Sequence, residues 1–155
     1  MTNFCGEKTG VKVSKQSVVV IDADALIAQT DSNDALHQIA VAITQELDRK
    51  NTKFIYPVTA VYEAATHMQR VLNNSSSAYG IIQLLSNSEF EVVEVNQKTL
   101  FNALKFFDPK SSKKNTIFDC TVALIAKEKG ADAIFSFDKF YKKLGFKLAS
   151  ELLRE

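Results

Sequence analysis

Cysteine, proline, glycine and tryptophan are scarce in this 155-residue chain, which has two cysteines, two prolines, five glycines and no tryptophan. Cys5 and Cys120 allow at most one disulfide and have no metal-ligand spacing, which favours a reducing, cytoplasmic setting. No apolar run approaches the roughly 18 residues that a membrane helix needs. Residues 1–16 lack the apolar core of a signal peptide. We therefore expect neither a zinc finger, nor a secreted disulfide scaffold, nor a membrane protein.

The composition that remains is typical of a soluble globular protein, with 46% hydrophobic and 24% charged residues. The length predicts a single domain, which we place at 17–155 after an N-terminal extension at 1–16. The net charge of +1 conceals an asymmetry. Residues 1–104 hold 8 Lys+Arg against 11 Asp+Glu, whereas residues 105–155 hold 11 against 7. The C-terminal third is thus basic, which indicates either an anionic partner or a solvated lysine-rich surface.

Strand and helix patterns alternate along the chain, which predicts an α/β fold of three layers. Its central parallel sheet should have four to five strands, with helices on both faces. The strands are predicted to begin at Val18, Phe54, Phe90 and Ala133, with 146–148 as the fifth. The helices are predicted at about 36–50, 58–72, 79–85, 100–107 and 117–129.

Acidic residues stand at the ends of two predicted strands. Asp22 follows the β-branched run 18–21, and Asp138 closes the run 134–138. Ligand sites in open parallel sheets form beyond the carboxyl ends of the strands, so both acids are well placed for chemistry. For Asp22 alone, a role as a helix cap or turn residue is the alternative.

Two further acids lie in otherwise apolar helical segments. Asp119 is the single charge in 117–126, and Glu63 follows the second predicted strand among apolar neighbours. Burying a charge is costly unless the charge is paired or binds a metal. For Asp119 the alternative is a favourable helix-dipole interaction of about 0.3–1 kcal/mol. Four acids from four segments at one sheet edge favour a Mg²⁺ or Mn²⁺ site, because these ions prefer carboxylate oxygens.

Four segments resemble the PIN-domain nucleases, particularly the VapC-type toxins. They are VVIDADALI at 19–27, TAVYE at 59–63, FDCTVALIAKEKGA at 118–131 and IFSFDKFYKKL at 134–144. The resemblance spans roughly 17–149 and implies a PIN fold with RNA hydrolysis that depends on Mg²⁺ or Mn²⁺. The catalytic, metal-binding acids of the family correspond to Asp22, Glu63, Asp119 and Asp138.

Two positions depart from the family pattern. Asp24 stands where the family commonly has Ser, Thr or Asn, which adds a fifth carboxylate as a candidate metal ligand. Phe137 stands where a basic residue often precedes the fourth acid. The small polar residues of the family correspond to Asp24 and Ser136, and the resemblance implies that they support the ligating acids through hydrogen bonds. Thr59 is a further candidate for such support, although a hydrogen bond at the start of its own helix is the favoured alternative.

Candidate RNA contacts come from the basic C-terminal third. The loop 108–115 precedes Asp119, and the segment 139–143 interleaves lysines with aromatic residues, a mixture that often binds single-stranded nucleic acid. The candidates are Lys110, Lys113, Lys114, Lys139, Lys142 and Lys143. His37 and His67 have no partner at ligand spacing, so we interpret them as surface or capping residues.

The favoured function is a metal-dependent endoribonuclease that acts on single-stranded or structured RNA, as the toxin of a toxin–antitoxin pair. Its partners would be RNA, a small antitoxin protein and a second copy of the chain. A haloacid-dehalogenase-like phosphatase, with Asp22 as nucleophile and Asp24 as acid, is the runner-up, but it leaves Asp119 unexplained. A third hypothesis is a catalytically inactive PIN-like scaffold that binds RNA or protein. The presence of all four acids argues against that hypothesis.

Overall fold

The computed structural model describes residues 15–110 and 113–154, and within these ranges four strands alternate with eight α-helices. The strands are Val18–Ile21 (β1), Lys53–Pro57 (β2), Glu91–Val93 (β3) and Ala133–Phe135 (β4). The helices are Ala23–Thr30 (α1), His37–Arg49 (α2), Val58–Arg70 (α3), Ser75–Leu85 (α4), Gln97–Ala103 (α5), Ile117–Glu128 (α6), Phe140–Lys143 (α7) and Ala149–Leu152 (α8). A 3₁₀ turn at Leu104–Phe106 follows α5.

The sheet is parallel throughout and has the order β3-β2-β1-β4. Val19 pairs with Phe54 on one side and with Ala133 on the other, so β1 is central. Val19 and Val20 have no exposed surface, as expected for a β-branched run covered on both faces. The predicted α/β fold with a parallel central sheet is confirmed.

The strand order determines where the helices lie. From β1 to β3 the chain moves steadily toward one edge, and right-handed crossovers then place α1 to α4 on one face. The return from β3 to β4 carries α5 and α6 to the opposite face, where α6 contacts β1, β2 and β4. Because α6 runs back toward the start of β4, its N-terminus lies at the carboxyl edge of the sheet. The ends of the strands and the start of α6 therefore meet at this one edge.

All four strands begin within one residue of their predicted starts, and of the four to five expected strands the candidate fifth at 146–148 does not form. Leu148 forms only an isolated parallel bridge with Ile134. The chain enters the four-residue helix α8 directly after this bridge, so no ladder can continue. The described part of the sheet therefore has four strands.

The sequence patterns missed two features of the helices. Helix α1 was not predicted, because the site-like motif at 22–24 also contains its N-cap, Asp22. The third helix was predicted from 79 only, yet α4 begins at Ser75 because the Asn74 side chain accepts a hydrogen bond from the Ser77 amide. Polar residues that suit loops also suit helix caps, and composition alone does not separate the two roles.

The predicted N-terminal extension at 1–16 lies outside the described residues except for Lys15 and Gln16. Within the described ranges, none of the helices combines the length and apolarity required to span a bilayer.

Candidate metal centre

Five acidic residues sit at the carboxyl edge of the sheet, each at or near a helix start. Asp22 caps α1 and Asp24 lies in its first turn. Asp119 lies in the first turn of α6, whereas Glu63 is in the second turn of α3 and Asp138 precedes α7. The topology thus brings all the predicted acids to one region, from four segments of the chain.

The charges of these acids act on one another. Burial raises the pKa of Asp22 from 3.8 to about 8, with further increases from Asp24 and Asp119. Burial likewise raises the pKa of Glu63 from 4.5 to about 7, and again Asp119 and Asp24 add to the shift. These groups therefore lie within electrostatic range of each other in a poorly solvated site.

Asp138 is linked to the same group through its effects on two other acids. Burial is the main cause that raises the pKa of Asp24 and of Asp119, and the charge of Asp138 raises both further. Hydrogen bonds to Asp24 from Phe137 and Ser136 partly oppose the rise. We call Asp22, Asp24, Glu63, Asp119 and Asp138 the carboxylate cluster.

Asp22 is the most deeply buried member, with 4% of its surface exposed. Its Oδ1 accepts a hydrogen bond of 2.7 Å from the Ala23 amide, and its Oδ2 accepts one of 2.8 Å from the Tyr141 hydroxyl. Burial and the neighbouring charge of Asp22 raise the pKa of Tyr141 well above its usual value. Asp22 is a helix cap as well as a candidate ligand, so the two interpretations of this residue are compatible.

Asp24 connects α1 to the loop after β4. Its Oδ2 accepts hydrogen bonds from the Ser136 hydroxyl at 2.9 Å and from the Phe137 amide at 2.8 Å. The Ser136 hydroxyl in turn accepts the Asp138 amide at 3.0 Å. Through these bonds Asp24 supports the loop that carries Asp138. Phe137 stands where the family often has a basic residue, and its backbone amide donates to Asp24.

The Asp119 and Asp138 carboxylates also accept hydrogen bonds from backbone amides. Asp119 Oδ2 accepts from the amide of Thr116, which closes a capping box at the start of α6. Asp138 Oδ1 accepts the Phe140 amide at 2.8 Å at the start of α7. As with Asp22, the local capping role coexists with a position in the cluster.

The donor chemistry of the cluster fits a hard divalent cation. Asp24 Oδ1 is buried and has no hydrogen-bond partner among residues 15–110 and 113–154, so this carboxylate oxygen can still accept a cation or a water bound to one. In those same residues, no three Asp, Glu, His or Cys side chains converge to form a ready-made metal cage. Mg²⁺ commonly keeps several waters and takes only one or two carboxylates, so an open arrangement suits it.

Thr59, predicted to support the acids, lies in the first turn of α3 at the same edge. Its hydroxyl is buried and, within the described part of the chain, has no partner. Its supporting role stays a prediction, whereas the hydrogen bonds of Ser136 are present in the structure.

A groove of about 510 Å³ opens beside Glu63. Its lining residues are Tyr62, Glu63, Thr66, His67, Arg70, Val71 and Phe118. Glu63, His67 and Arg70 follow i, i+4, i+7 spacing, which places them on one face of α3. That spacing was visible in the sequence, but without a fold nothing indicated which helix face meets the acids.

The six lysines predicted to contact RNA are all exposed. Lys142 forms an ion pair of 2.8 Å with Glu151, so it is already engaged. Lys113 lines a shallow cleft with Asn115 and Thr116, close in sequence to Asp119. None of these lysines lines the groove beside Glu63, which is flanked instead by His67 and Arg70.

The raised pKa values predict how stability responds to pH without metal. The folded pKa of Asp22, about 8, and that of Glu63, about 7, exceed the unfolded values of 3.8 and 4.5. At pH values between the unfolded and the folded pKa values, the unfolded chain binds fewer protons than the folded chain. The free energy of unfolding therefore falls as pH rises from about 5 to about 8. Urea titrations in chelator, repeated along this range, measure the slope. The D22N and E63Q substitutions should each flatten it, and a flat or rising parental slope would contradict the electrostatics.

Comparison with known proteins agrees with this geometry. The model of the PIN domain family matches residues 19–147. A VapC ribonuclease of Aquifex aeolicus is 27% identical over 104 residues, which cover 66% of this chain and 74% of that protein. The crystal structure of Mycobacterium tuberculosis VapC20, titled a sarcin-ricin loop cleaving toxin, superposes with a TM-score of 0.72 at 16% identity, covering 83% and 95% of the two chains. Because the family model matches most of the chain, this chain belongs to the PIN domain family.

Proposed function

We propose that this protein is a Mg²⁺- or Mn²⁺-dependent endoribonuclease and the toxin of a toxin–antitoxin pair. The observation that carries the proposal is the carboxylate cluster, in which the buried Asp24 Oδ1 has no hydrogen-bond partner within the part of the chain that the structure describes. The similarity to a VapC ribonuclease supports RNA as the substrate.

Asp22, Glu63, Asp119 and Asp138 would hold the cation, and Asp24 would add a fifth anionic oxygen. Once bound, the cation would activate water as the nucleophile and stabilise negative charge on the leaving oxygen. Water would attack the phosphodiester rather than the RNA 2′-hydroxyl, so the products should carry 5′-phosphates. No histidine is needed as a base.

The groove beside Glu63 is our candidate path for the RNA. Tyr62 and Phe118 expose 61% and 41% of their surfaces there, which offers ring faces for bases. No carboxylate lies within ion-pair distance of Arg70 in the described ranges, so its charge can meet a phosphate. At 1.5 Å of rise per residue, Arg70 lies about 10 Å along α3 from Glu63, a distance of one to two nucleotides.

A second copy of the chain is our candidate for the surface of α5 and its 3₁₀ turn. Leu100, Phe101 and Leu104 expose 54%, 71% and 53% of their surfaces there. With Phe107 and Ile117 they line an apolar groove of about 510 Å³. Contiguous apolar patches of this kind mark interaction sites on small soluble proteins. The antitoxin would instead block the acidic edge.

The phosphatase alternative finds no support in the site. That chemistry needs Asp24 as the general acid, but Asp24 Oδ2 accepts two hydrogen bonds from the loop after β4, and Asp119 would have no role. The inactive scaffold is the outcome to expect if RNA binds but is not cleaved with either metal.

The D119N substitution tests the proposed role of the cluster. The asparagine side chain has the same shape, and its oxygen can still accept the hydrogen bond from the Thr116 backbone amide. It carries no negative charge, however, and is a poorer ligand for a hard cation. We expect RNA cleavage to be abolished while the metal-free protein melts no lower than the parent. Cleavage and thermal melting are measured on the same preparations, with and without Mn²⁺.

The D48N substitution is the matched control, because Asp48 is exposed near the end of α2. It should leave both cleavage and the gain in melting temperature with Mn²⁺ unchanged. A D119N protein that melts early without metal yet cleaves at the parental rate would make Asp119 a structural residue.

The R70Q substitution tests the RNA path. Binding of a short single-stranded RNA is followed by fluorescence anisotropy in the D119N background, which prevents cleavage. Loss of one phosphate contact should weaken binding and reduce the slope of log K against log salt by about 0.7. R49Q is the control, since Arg49 pairs with Glu46 on α2. Equal affinity and equal salt slope in R70Q and R49Q would exclude this path.

The F101E substitution tests self-association. Phe101 is the most exposed apolar residue of the α5 patch, so a carboxylate there should disrupt the interface without disturbing the core. Sedimentation at tens of micromolar should show a parental dimer and an F101E monomer. A parental monomer at that concentration, or an F101E dimer, would refute this interface.

A further inference from the structure

The Tyr141 hydroxyl makes a contact that filling the core does not require. Tyr141 lies in α7 with no exposed surface, and its hydroxyl donates to Asp22 Oδ2 at 2.8 Å. A phenylalanine ring would fill the same space. The single additional oxygen of tyrosine reaches the most deeply buried acid of the cluster.

This contact adds a second side-chain link between the first and last segments of the site, beside the hydrogen bond of Ser136 to Asp24. Asp24 accepts from Ser136, Ser136 accepts from the Asp138 amide, and Asp138 accepts from the Phe140 amide. Tyr141 follows Phe140 in the chain, and its hydroxyl donates to Asp22, which lies two residues before Asp24. The position of α7 is therefore tied to Asp138 at its start and to Asp22 through its side chain.

The bonds to Asp22 leave room for a cation. An ionised carboxylate offers about four lone-pair sites, two on each oxygen. The Ala23 amide occupies one site on Oδ1 and the Tyr141 hydroxyl occupies one on Oδ2. No further hydrogen-bond donor to either oxygen is present among residues 15–110 and 113–154, so one site on each oxygen can take a cation, while two donors on different segments restrict rotation of the group.

We propose that Tyr141 is a positioning residue of the metal centre, whose hydroxyl holds the Asp22 carboxylate in its cation-binding orientation. The proposal rests on the proposed function, since it assumes that Asp22 is a ligand. Tyr141 acts through Asp22 and contacts neither cation nor RNA itself. Removal of a partner that orients a metal ligand typically costs 10- to 100-fold in metal affinity or activity.

The test is Mn²⁺ binding to the metal-free 155-residue chain, monitored through the electron paramagnetic resonance signal of free Mn²⁺, with no RNA present. Y141F should bind Mn²⁺ about 10-fold or more weakly than the parent. Y79F is the matched control, because Tyr79 exposes 69% of its surface on α4. Its Mn²⁺ affinity should equal that of the parent. A purely structural hydroxyl would lower the melting temperature of metal-free Y141F without changing its Mn²⁺ affinity.

A double-mutant comparison separates action through Asp22 from action elsewhere. In the D22N background, Y141F should cause little further loss of Mn²⁺ affinity, because the group that it positions is already changed. An equal further loss would overturn the proposal, as would a folded Y141F with parental affinity. A Y141F chain that fails to fold even with saturating Mn²⁺ would also overturn it, by assigning the hydroxyl to the fold. A parental chain that binds no Mn²⁺ would instead refute the proposed function itself.

Discussion

Concentrated negative charge at the carboxyl edge of the sheet is the constraint on which the site depends. Asp22 is almost fully buried, and the charges of Asp24 and Asp119 raise its pKa beyond the effect of burial. A site of this kind is costly for a chain that must hold it ionised near neutral pH. Without metal, bound protons can neutralise part of the negative charge of the cluster. A divalent cation compensates more of that charge and would leave the carboxylates ionised.

The acids are also structural parts of the segments that carry them. Asp22 caps α1, Asp119 belongs to the capping box of α6, and Asp138 accepts the amide that starts α7. Each of these three carboxylates is therefore held by the backbone of its own segment, and the hydroxyls of Tyr141 and Ser136 join distant segments. This double use explains why the local capping interpretation and the ligand interpretation both describe the same residues.

The strong local patterns in the sequence predicted the sheet well. The run 18–21 is apolar at every position, as a central parallel strand requires, and it lies between β2 and β4. The acids were recognisable because Asp119 is an isolated charge in an apolar helix. Helix α1 was missed because only eight residues separate its N-cap from its C-cap, and a weakly amphipathic pattern there gives little signal.

Long-range contacts account for what the sequence did not predict. Tyr141 and Asp22 are 119 positions apart, so no spacing rule connects them. Arg70 was one exposed cation among many until the structure placed its helix face beside Glu63 and Phe118. The supporting pair of Asp24 and Ser136 was anticipated only through family resemblance, and its hydrogen bond depends on how β4 ends beside β1.

The most direct test of the account is anomalous X-ray scattering from crystals of the protein soaked in Mn²⁺. The account predicts an anomalous peak at the carboxyl edge, within coordination distance of oxygens from Asp22 and at least one of Glu63, Asp119 and Asp138. Mn²⁺–oxygen distances near 2.2 Å, roughly those of other hard divalent cations, would identify the ligands. An Mn²⁺-saturated protein whose only anomalous peaks lie away from these carboxylates would contradict the central claim.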